Sequence, residues 1–255
     1  MNSFRADVAR YYDLGRHLPA DVPFYLERLG SATDAVLELG CGTGRVSIPL
    51  AEACGELRGV DHSVEMLRIA RERAEAAGLD RSRVSFSVAD IVDVSLDRTF
   101  DLIVAPFRVV QNLETDAQLN GLFRSIRRHL APGGRCILNV FNPRGTKEEL
   151  IGSWVTAEPE PMWTVPFEDG EVTRYDHRLR LQPDPLVLYP ELVYEYAVAG
   201  VVVDRAVLRI AMRCYYPDDF VARIEDARFT VTDRWGGYAG EPYGEGPELL
   251  VEFSL

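Results

Sequence analysis

A chain of 255 residues with 47 % hydrophobic content carries enough apolar side chain to bury one substantial core. Its formal charge of −12 speaks against a nucleic-acid partner, because such binding rests on many Lys and Arg contacts to phosphate. The N-terminus is charged rather than continuously apolar and no stretch reaches membrane-span length, so a cytoplasmic protein with no membrane partner is expected. Cys41, Cys54, Cys136 and Cys214 have neither metal-ligand spacing nor disulfide-rich density, and no metal site is expected.

Taken in chain order, Val8 to Asp13 reads as a helix that presents Tyr11 and Tyr12. An apolar strand, Val36 to Leu39, then runs into a turn carrying Gly40, Cys41, Gly42 and Gly44, followed by a helix-like stretch from Val46 to Ala53. Three glycines in five positions permit positive φ and a close approach of a ligand to the main chain, so a nucleotide-type ligand is the expected occupant. A dinucleotide fingerprint needs a third glycine where Arg45 or Ser47 stands, and a phosphate loop needs Lys followed by Ser or Thr where Arg45-Val46 stands. What remains is acidic-x-Gly-x-Gly-x-Gly, from Glu38 to Gly44.

A second strand, Leu57 to Asp61, ends in an acid suited to a ribose diol, and Ser63 is placed to cap the helix that follows, with Val64, Leu67, Ala70 and Ala74 at helical spacing. The third strand, 84–88, leads to Ala89-Asp90-Ile91. The fourth, 100–105, leads to Pro106-Phe107-Arg108 and on to Gln111-Asn112. A helix over 116–130 buries Leu119, Leu122, Phe123 and Ile126, and Pro132-Gly133-Gly134 stops it before a fifth strand over 135–141.

This ordered set over the first 140 residues resembles the class I S-adenosylmethionine (SAM)-dependent methyltransferases, whose motif I matches Glu38 to Gly44 and whose following motif matches Asp61-His62-Ser63-Val64-Glu65-Met66-Leu67. The resemblance implies SAM as cofactor and S-adenosylhomocysteine (SAH) as product. It implies cofactor contacts from Glu38, Gly40, Cys41, Gly42, Gly44, Asp61, His62, Met66, Asp90, Ile91 and Pro106, with Asp90 accepting from the adenine amino group and Met66 bordering the ring. A Tyr-Tyr-Asp segment such as Tyr11-Tyr12-Asp13 often closes over the amino-acid end of SAM in small-molecule members. The implied fold is α/β: a Rossmann-like seven-stranded sheet with its last strand antiparallel and helices on both faces.

Residues 145–215 are richer in β pattern than a plain crossover and suggest a three-stranded antiparallel cap inserted after the fifth strand. Its strands are expected over 171–181 (Thr173, Tyr175, His177, Leu179 and Leu181 on one face), over 186–196 and over 208–214. Similar caps occur in the sugar N,N-dimethyltransferases of antibiotic pathways. The expected organisation is therefore a SAM-binding core over 1–144, the cap over 145–215 and a C-terminal helix and hairpin over 216–255, with the cap covering a small-molecule acceptor, mediating a homodimer, or both. Trp235 and Tyr238, in the last loop, would give the acceptor an aromatic wall together with Phe107, Arg108 and Tyr175.

Methyl transfer from a sulfonium needs an in-line nucleophile and water exclusion more than acid–base machinery. The polar candidates for orienting the acceptor are Arg108, Gln111 and Asn112, with His177 in the cap as the candidate base. Asn112 stands where many relatives carry a histidine. The expected activity is methyl transfer to N or O of a small molecule. The competing readings are a SAM-fold cyclase or regulator, a protein methyltransferase and an NAD-dependent oxidoreductase.

Overall fold

The computed structural model describes residues 8–15, 21–30 and 35–255. Helix α1 (Asp21–Glu27) precedes strand β1 (Ala35–Leu39), and α2 (Ser47–Ala53), β2 (Glu56–Asp61), α3 (Val64–Ala76), β3 (Val84–Val88) and β4 (Phe100–Ala105) follow. A 3-10 turn over Val109–Asn112 leads to α4 (Asp116–His129) and β5 (Leu130–Phe141). After α5 (Lys147–Ser153) come β6 (Glu160–Phe167), β7 (Gly170–Pro183), β8 (Leu186–Val198), β9 (Val201–Arg209) and β10 (Met212–Arg213). The chain closes with α6 (Pro217–Asp226), β11 (Thr230–Trp235) and β12 (Glu248–Ser254).

Seven strands form one sheet in the order β11-β12-β5-β4-β1-β2-β3. Every pair is parallel except the two that involve β12, which runs against β5 and β11. Burial of every residue of β1 explains its unbroken apolar run, since a central parallel strand is covered on both faces. Val36 packs on one face with Phe24, Leu50 and Leu67, while Leu37 and Leu39 pack on the other with Leu122, Phe123 and Phe220. The chain winds from β1 outwards through β2 and β3, then returns to β4 on the other side of β1. The carboxyl ends of β1 and β4 are therefore the switch point where open α/β sheets bind ligands.

Local signals hold where their chemistry is complete. Ser63 accepts from the Met66 N–H at 3.3 Å, and α4 starts with a reciprocal cap between Thr115 and Gln118. Residues 8–15 form turns rather than the expected helix. The fifth strand begins at Leu130, directly after α4, instead of at residue 135. Gly133, at φ +77°, makes the irregularity between the pairs Phe100–Leu130 and Leu102–Arg135.

The cap is a second antiparallel sheet of five strands, not three, in the order β10-β8-β7-β6 with β9 also paired to β8. Strand β6 contains Pro161 and Pro166, which read against a strand, yet it lies at the sheet edge where proline is tolerated. The expected strand over 208–214 is divided: β9 ends at Arg209, the Ile210 N–H reaches the Pro190 carbonyl at 3.4 Å, and pairing resumes at Met212–Leu188. Val8 and Tyr11 pack into the inner face of this sheet against Val172, Tyr194, Ala206 and Leu208.

Candidate active site

The glycine turn closes by two hydrogen bonds to β2, from the Gly40 and Cys41 N–H groups to the Val60 carbonyl at 2.8 and 3.0 Å. Gly40 (φ +72°) and Gly42 (φ +54°) both need the left-handed region, but their surroundings differ. A Cβ at Gly40 would lie 2.6 Å from both Val109 methyls, whereas one at Gly42 would meet nothing within 4 Å. Gly40→Ala therefore strains both backbone and packing. We expect it to lose about 1–3 kcal/mol or more of stability in urea unfolding, while Gly42→Ala loses less and chiefly weakens cofactor binding. Equal losses in both variants would contradict this division.

Beside the turn, the carboxylate of Asp61 is 2 % exposed, accepting from the Gly42 N–H at 3.0 Å and from the Ser63 N–H at 2.8 Å. Glu38, buried at the end of β1, accepts from the Ser47 hydroxyl. Asp13 arrives from the N-terminal segment and accepts from the Thr43 hydroxyl at 2.6 Å and from Arg73 at 2.7 Å, while its Oδ1 is buried with no hydrogen-bond partner. Arg45 is paired with the buried Asp21 at 2.9 Å. These groups enclose an inner cleft of about 70 Å³ whose wall also includes Cys41, Met66 and Pro106. An outer section of about 400 Å³ continues past Asp61, His62, Asp90 and Ile91. In that section Asp90 accepts from the Val92 N–H at 3.0 Å, and the His62 ring lies 3.6 Å from Asp61.

At the tip of β4, Phe107 (φ +56°) and Arg108 (φ +65°) stand consecutively in the left-handed region without being glycine. Such strain costs on the order of 1–3 kcal/mol per residue and persists only where surroundings over-determine it. Here the Arg108 N–H donates to Asn139 Oδ1 at 2.9 Å and its guanidinium pairs with Glu248, Nε to Oε2 at 3.2 Å. Asn139 in turn donates to Glu248 at 3.0 Å and accepts from the Tyr238 hydroxyl at 3.0 Å.

Across from this tip, the inner face of the cap bounds a third cavity of about 310 Å³, within the usual range for ligand pockets. Leu192, Leu208, Ile210 and Met212 give it an apolar wall, and Arg174, Asp176 and Arg178 a polar one. Tyr12, Phe107 and Asn112 line both this cavity and the inner cleft, and Asn112 borders the outer section as well.

A family model described as a methyltransferase domain matches residues 36–134. Residues 36–134 are a class I SAM-dependent methyltransferase domain. The chain is 29 % identical over 186 residues to the dTDP-3-amino-3,4,6-trideoxy-alpha-D-glucopyranose N,N-dimethyltransferase of Streptomyces venezuelae, covering 69 % of this chain and 72 % of that protein. It is 36 % identical over 108 residues to the cypemycin N-terminal methyltransferase of a Streptomyces species, a match spanning 42 % of each. The fold is shared with the CcbJ methyltransferase of Streptomyces caelestis, with a TM-score of 0.78 at 22 % identity over 99 % of this chain and 98 % of that one.

The lining fits SAM in chemistry as well as in topology: the side chains of Asp13, Glu38 and Asp61, the Asp13 Oδ1 without a hydrogen-bond partner and an open glycine backbone would suit a cation-bearing nucleoside. Among the described residues, no helix of the methyltransferase is long and apolar enough to cross a membrane, and no cluster of His, Cys, Asp and Glu could hold a metal ion.

Several expected site residues lie elsewhere. Tyr11 is buried in the cap, donating to Asp204 at 2.5 Å and stacked on Tyr194, so Tyr12 alone of the pair reaches the cavities. Gly44 packs against Ala70 instead of lining the cleft. Gln111 is fully buried, donating to the Arg213 carbonyl and accepting from the Phe141 N–H, both at 2.8 Å, so it ties the tip loop to β5 and β10. Tyr175 and His177 alternate out of phase with Arg174, Asp176 and Arg178 and line none of the three cavities. Trp235 packs on Phe24 and Arg28, and Tyr238 supports Asn139, so neither walls the capped cavity. Sequence reasoning missed Asp13, Thr43, Arg45, Asp176 and Glu248. Asp13 alone had a local signal, as the third member of Tyr11-Tyr12-Asp13.

Proposed function

We propose that this methyltransferase moves the methyl group of SAM in line to an amine nitrogen of a small molecule held between the β4 tip and the cap. The observation that carries the reading is the shared border of Tyr12, Phe107 and Asn112, which joins the inner cleft to the capped cavity. SAM supplies an electrophilic methyl on a sulfonium. On this chain Asp61 takes the ribose hydroxyls, Asp90 and Ile91 the adenine, and Glu38 with Asp13 the ammonium of the zwitterionic amino-acid end. Arg108 and Asn112 orient the acceptor. Among the described residues no histidine borders the acceptor cavity, and the one carboxylate there, Asp176, already accepts from Arg174 at 2.9 and 2.6 Å. An ammonium can lose its proton to bulk solvent before it binds, whereas an alcohol needs a base at the moment of attack. The nitrogen-methylating relatives support the same choice.

The organisation that goes with this reading assigns the cofactor to residues 1–144, the acceptor to the cap over 145–215 and the completion of the core to 216–255. It takes the protein to be cytoplasmic and, on the net charge of −12, without a nucleic-acid partner. A homodimer through the cap is supported by Val201, Val202 and Val203, exposed along β9, and sedimentation equilibrium tests it.

Calorimetric titration with SAM, SAH and NAD, followed by SAH-release assays on aminosugars and matched phenols, tests the function. Micromolar SAM and SAH binding with turnover on amines is expected; NAD binding alone, or turnover confined to phenols, would reject it. Burial pushes the Glu38 carboxyl up to about 8, only partly opposed by Ser47 and Arg45. Its folded-state value lies above the unfolded one, so the stability tied to its protonated form is complete below about 4.5 and lost as pH rises through about 8. Facing a cation requires it to ionise. We therefore expect SAM binding at pH 7 to release a proton and to tighten towards pH 8, with Glu38→Gln abolishing both effects in titrations run in buffers of different ionisation enthalpy.

A further inference from the structure

We infer that Asn139 of β5 is a positioning residue for methyl transfer: it lines none of the three cavities and acts by holding Phe107 and Arg108 in the backbone shape that walls the inner cleft. This rests on SAM occupying that cleft. Asn139 interrupts the apolar run of Cys136, Ile137, Leu138 and Val140 and, like them, is fully buried. An amide taken out of water in the middle of a sheet is tolerated only where its hydrogen bonds are replaced. Its partners within 3.0 Å all belong to the β4 tip or to the groups that anchor that tip.

The amide grips Arg108 twice. Its Oδ1 accepts from the Arg108 N–H at 2.9 Å, which fixes the peptide plane linking the two consecutive left-handed residues. Its Nδ2 donates to Glu248 at 3.0 Å, and that carboxylate in turn forks the guanidinium of the same Arg108. The Tyr238 hydroxyl, donating to Oδ1 at 3.0 Å, completes the set, so the side chain cannot turn over without losing every partner. Main chain and side chain of Arg108 are thus set by one buried group.

What the tip shapes is the cofactor cleft. Pro106, Phe107, Val109 and Asn112 supply one wall of it, Phe107 lies 5.4 Å from the Arg45 guanidinium, and the Val109 methyls fill the space beside Gly40. Relaxation of either left-handed residue to an ordinary backbone region would swing this wall away from the glycine turn, and strain at both residues favours that movement. The contacts of Asn139 oppose it.

The test is calorimetric titration of SAH into the parent, Asn139→Leu and Asn139→Asp, each shown to be folded by urea unfolding. Leucine keeps the branched shape and deletes the hydrogen bonds, so SAH affinity should fall about tenfold or more in protein that is still folded. In Asn139→Asp the new carboxyl faces Glu248, the Arg108 guanidinium and the Tyr238 hydroxyl. Protonated, it reproduces the donor and the acceptor of the amide; ionised, it repels Glu248. Compared with the parent at the same pH, Asn139→Asp should therefore bind SAH within about threefold near about pH 5.5 and about tenfold more weakly near about pH 8.5, which keeps the question open to decision even if Asn139→Leu fails to fold. A lowered urea midpoint with SAH affinity within about threefold of the parent in both variants at both pH values is the result of a merely structural amide, and it overturns the proposal. A loss in Asn139→Asp that is equal at the two pH values overturns it as well. Parent-like SAH affinity in Asp61→Ala would instead place the cofactor outside the inner cleft and overturn the reading beneath it.

Discussion

Replacing Asp61 by alanine is expected to weaken SAM binding by roughly 10²–10⁴-fold, read by calorimetry. The estimate follows from two charge-assisted hydrogen bonds to a ribose diol at about 1.5–3 kcal/mol each, of which only part survives the competition with water. Asp61 also accepts from the Gly42 and Ser63 N–H groups, so alanine leaves two buried donors unpaired at about 1–3 kcal/mol each and loosens the turn that shapes the cleft. Asp61→Asn separates the two contributions. It keeps one acceptor oxygen and the shape while removing the charge, so its stability should fall less than that of the alanine variant while most of the affinity is still lost. An affinity within threefold of the parent in both variants would take Asp61 out of the cofactor site.

The largest loss of stability is expected from Asp21→Ala. Asp21 is fully buried and Arg45, whose side chain is 11 % exposed, is held by it through a fork. Deleting the carboxylate strands a guanidinium away from water, which costs about 3–5 kcal/mol, a large part of the usual margin of a domain. Urea unfolding should show it as a fall in midpoint at unchanged slope. The double variant Asp21→Leu with Arg45→Met should regain most of the loss, because what destabilises is the unpaired charge and not the missing pair. Arg45 also lies 5.4 Å from the Phe107 ring and borders the inner cleft, so SAM affinity should drop in the double variant even where stability returns. A loss below about 1 kcal/mol in Asp21→Ala would show that water reaches Arg45 in solution.

The core was legible because its signals are local. A glycine turn, an acid at a strand tip and a capped helix each complete their chemistry within a few residues, so Glu38, Gly42, Asp61 and Asp90, which line the clefts, could be picked out before any packing was known. The cap was harder, because strand β7 alternates polar and mixed residues on both faces and the pattern does not say which face turns inwards. Tyr175 and His177 belong to the wrong phase, and a shift by one residue replaces them with Arg174, Asp176 and Arg178. Gln111 looked like a free polar group at a strand tip, yet its amide is consumed by the main chain of Arg213 and Phe141. The partner of Arg108 is 140 residues away, at Glu248, and no spacing rule reaches that far.

The segment over residues 8–15 is latched at two points: Tyr11 on Asp204 of the cap and Asp13 on Thr43 and Arg73 of the core. Tyr12, between the latches, closes one side of each chamber. On the proposed reading, cofactor and acceptor are therefore separated from solvent by one shared residue. If SAH leaves past Tyr12, as that reading expects, the same withdrawal unseals the space above Phe107, product departure and cofactor renewal become one event, and release of the two hydrogen-bonded anchors would set a ceiling on turnover however fast the methyl moves.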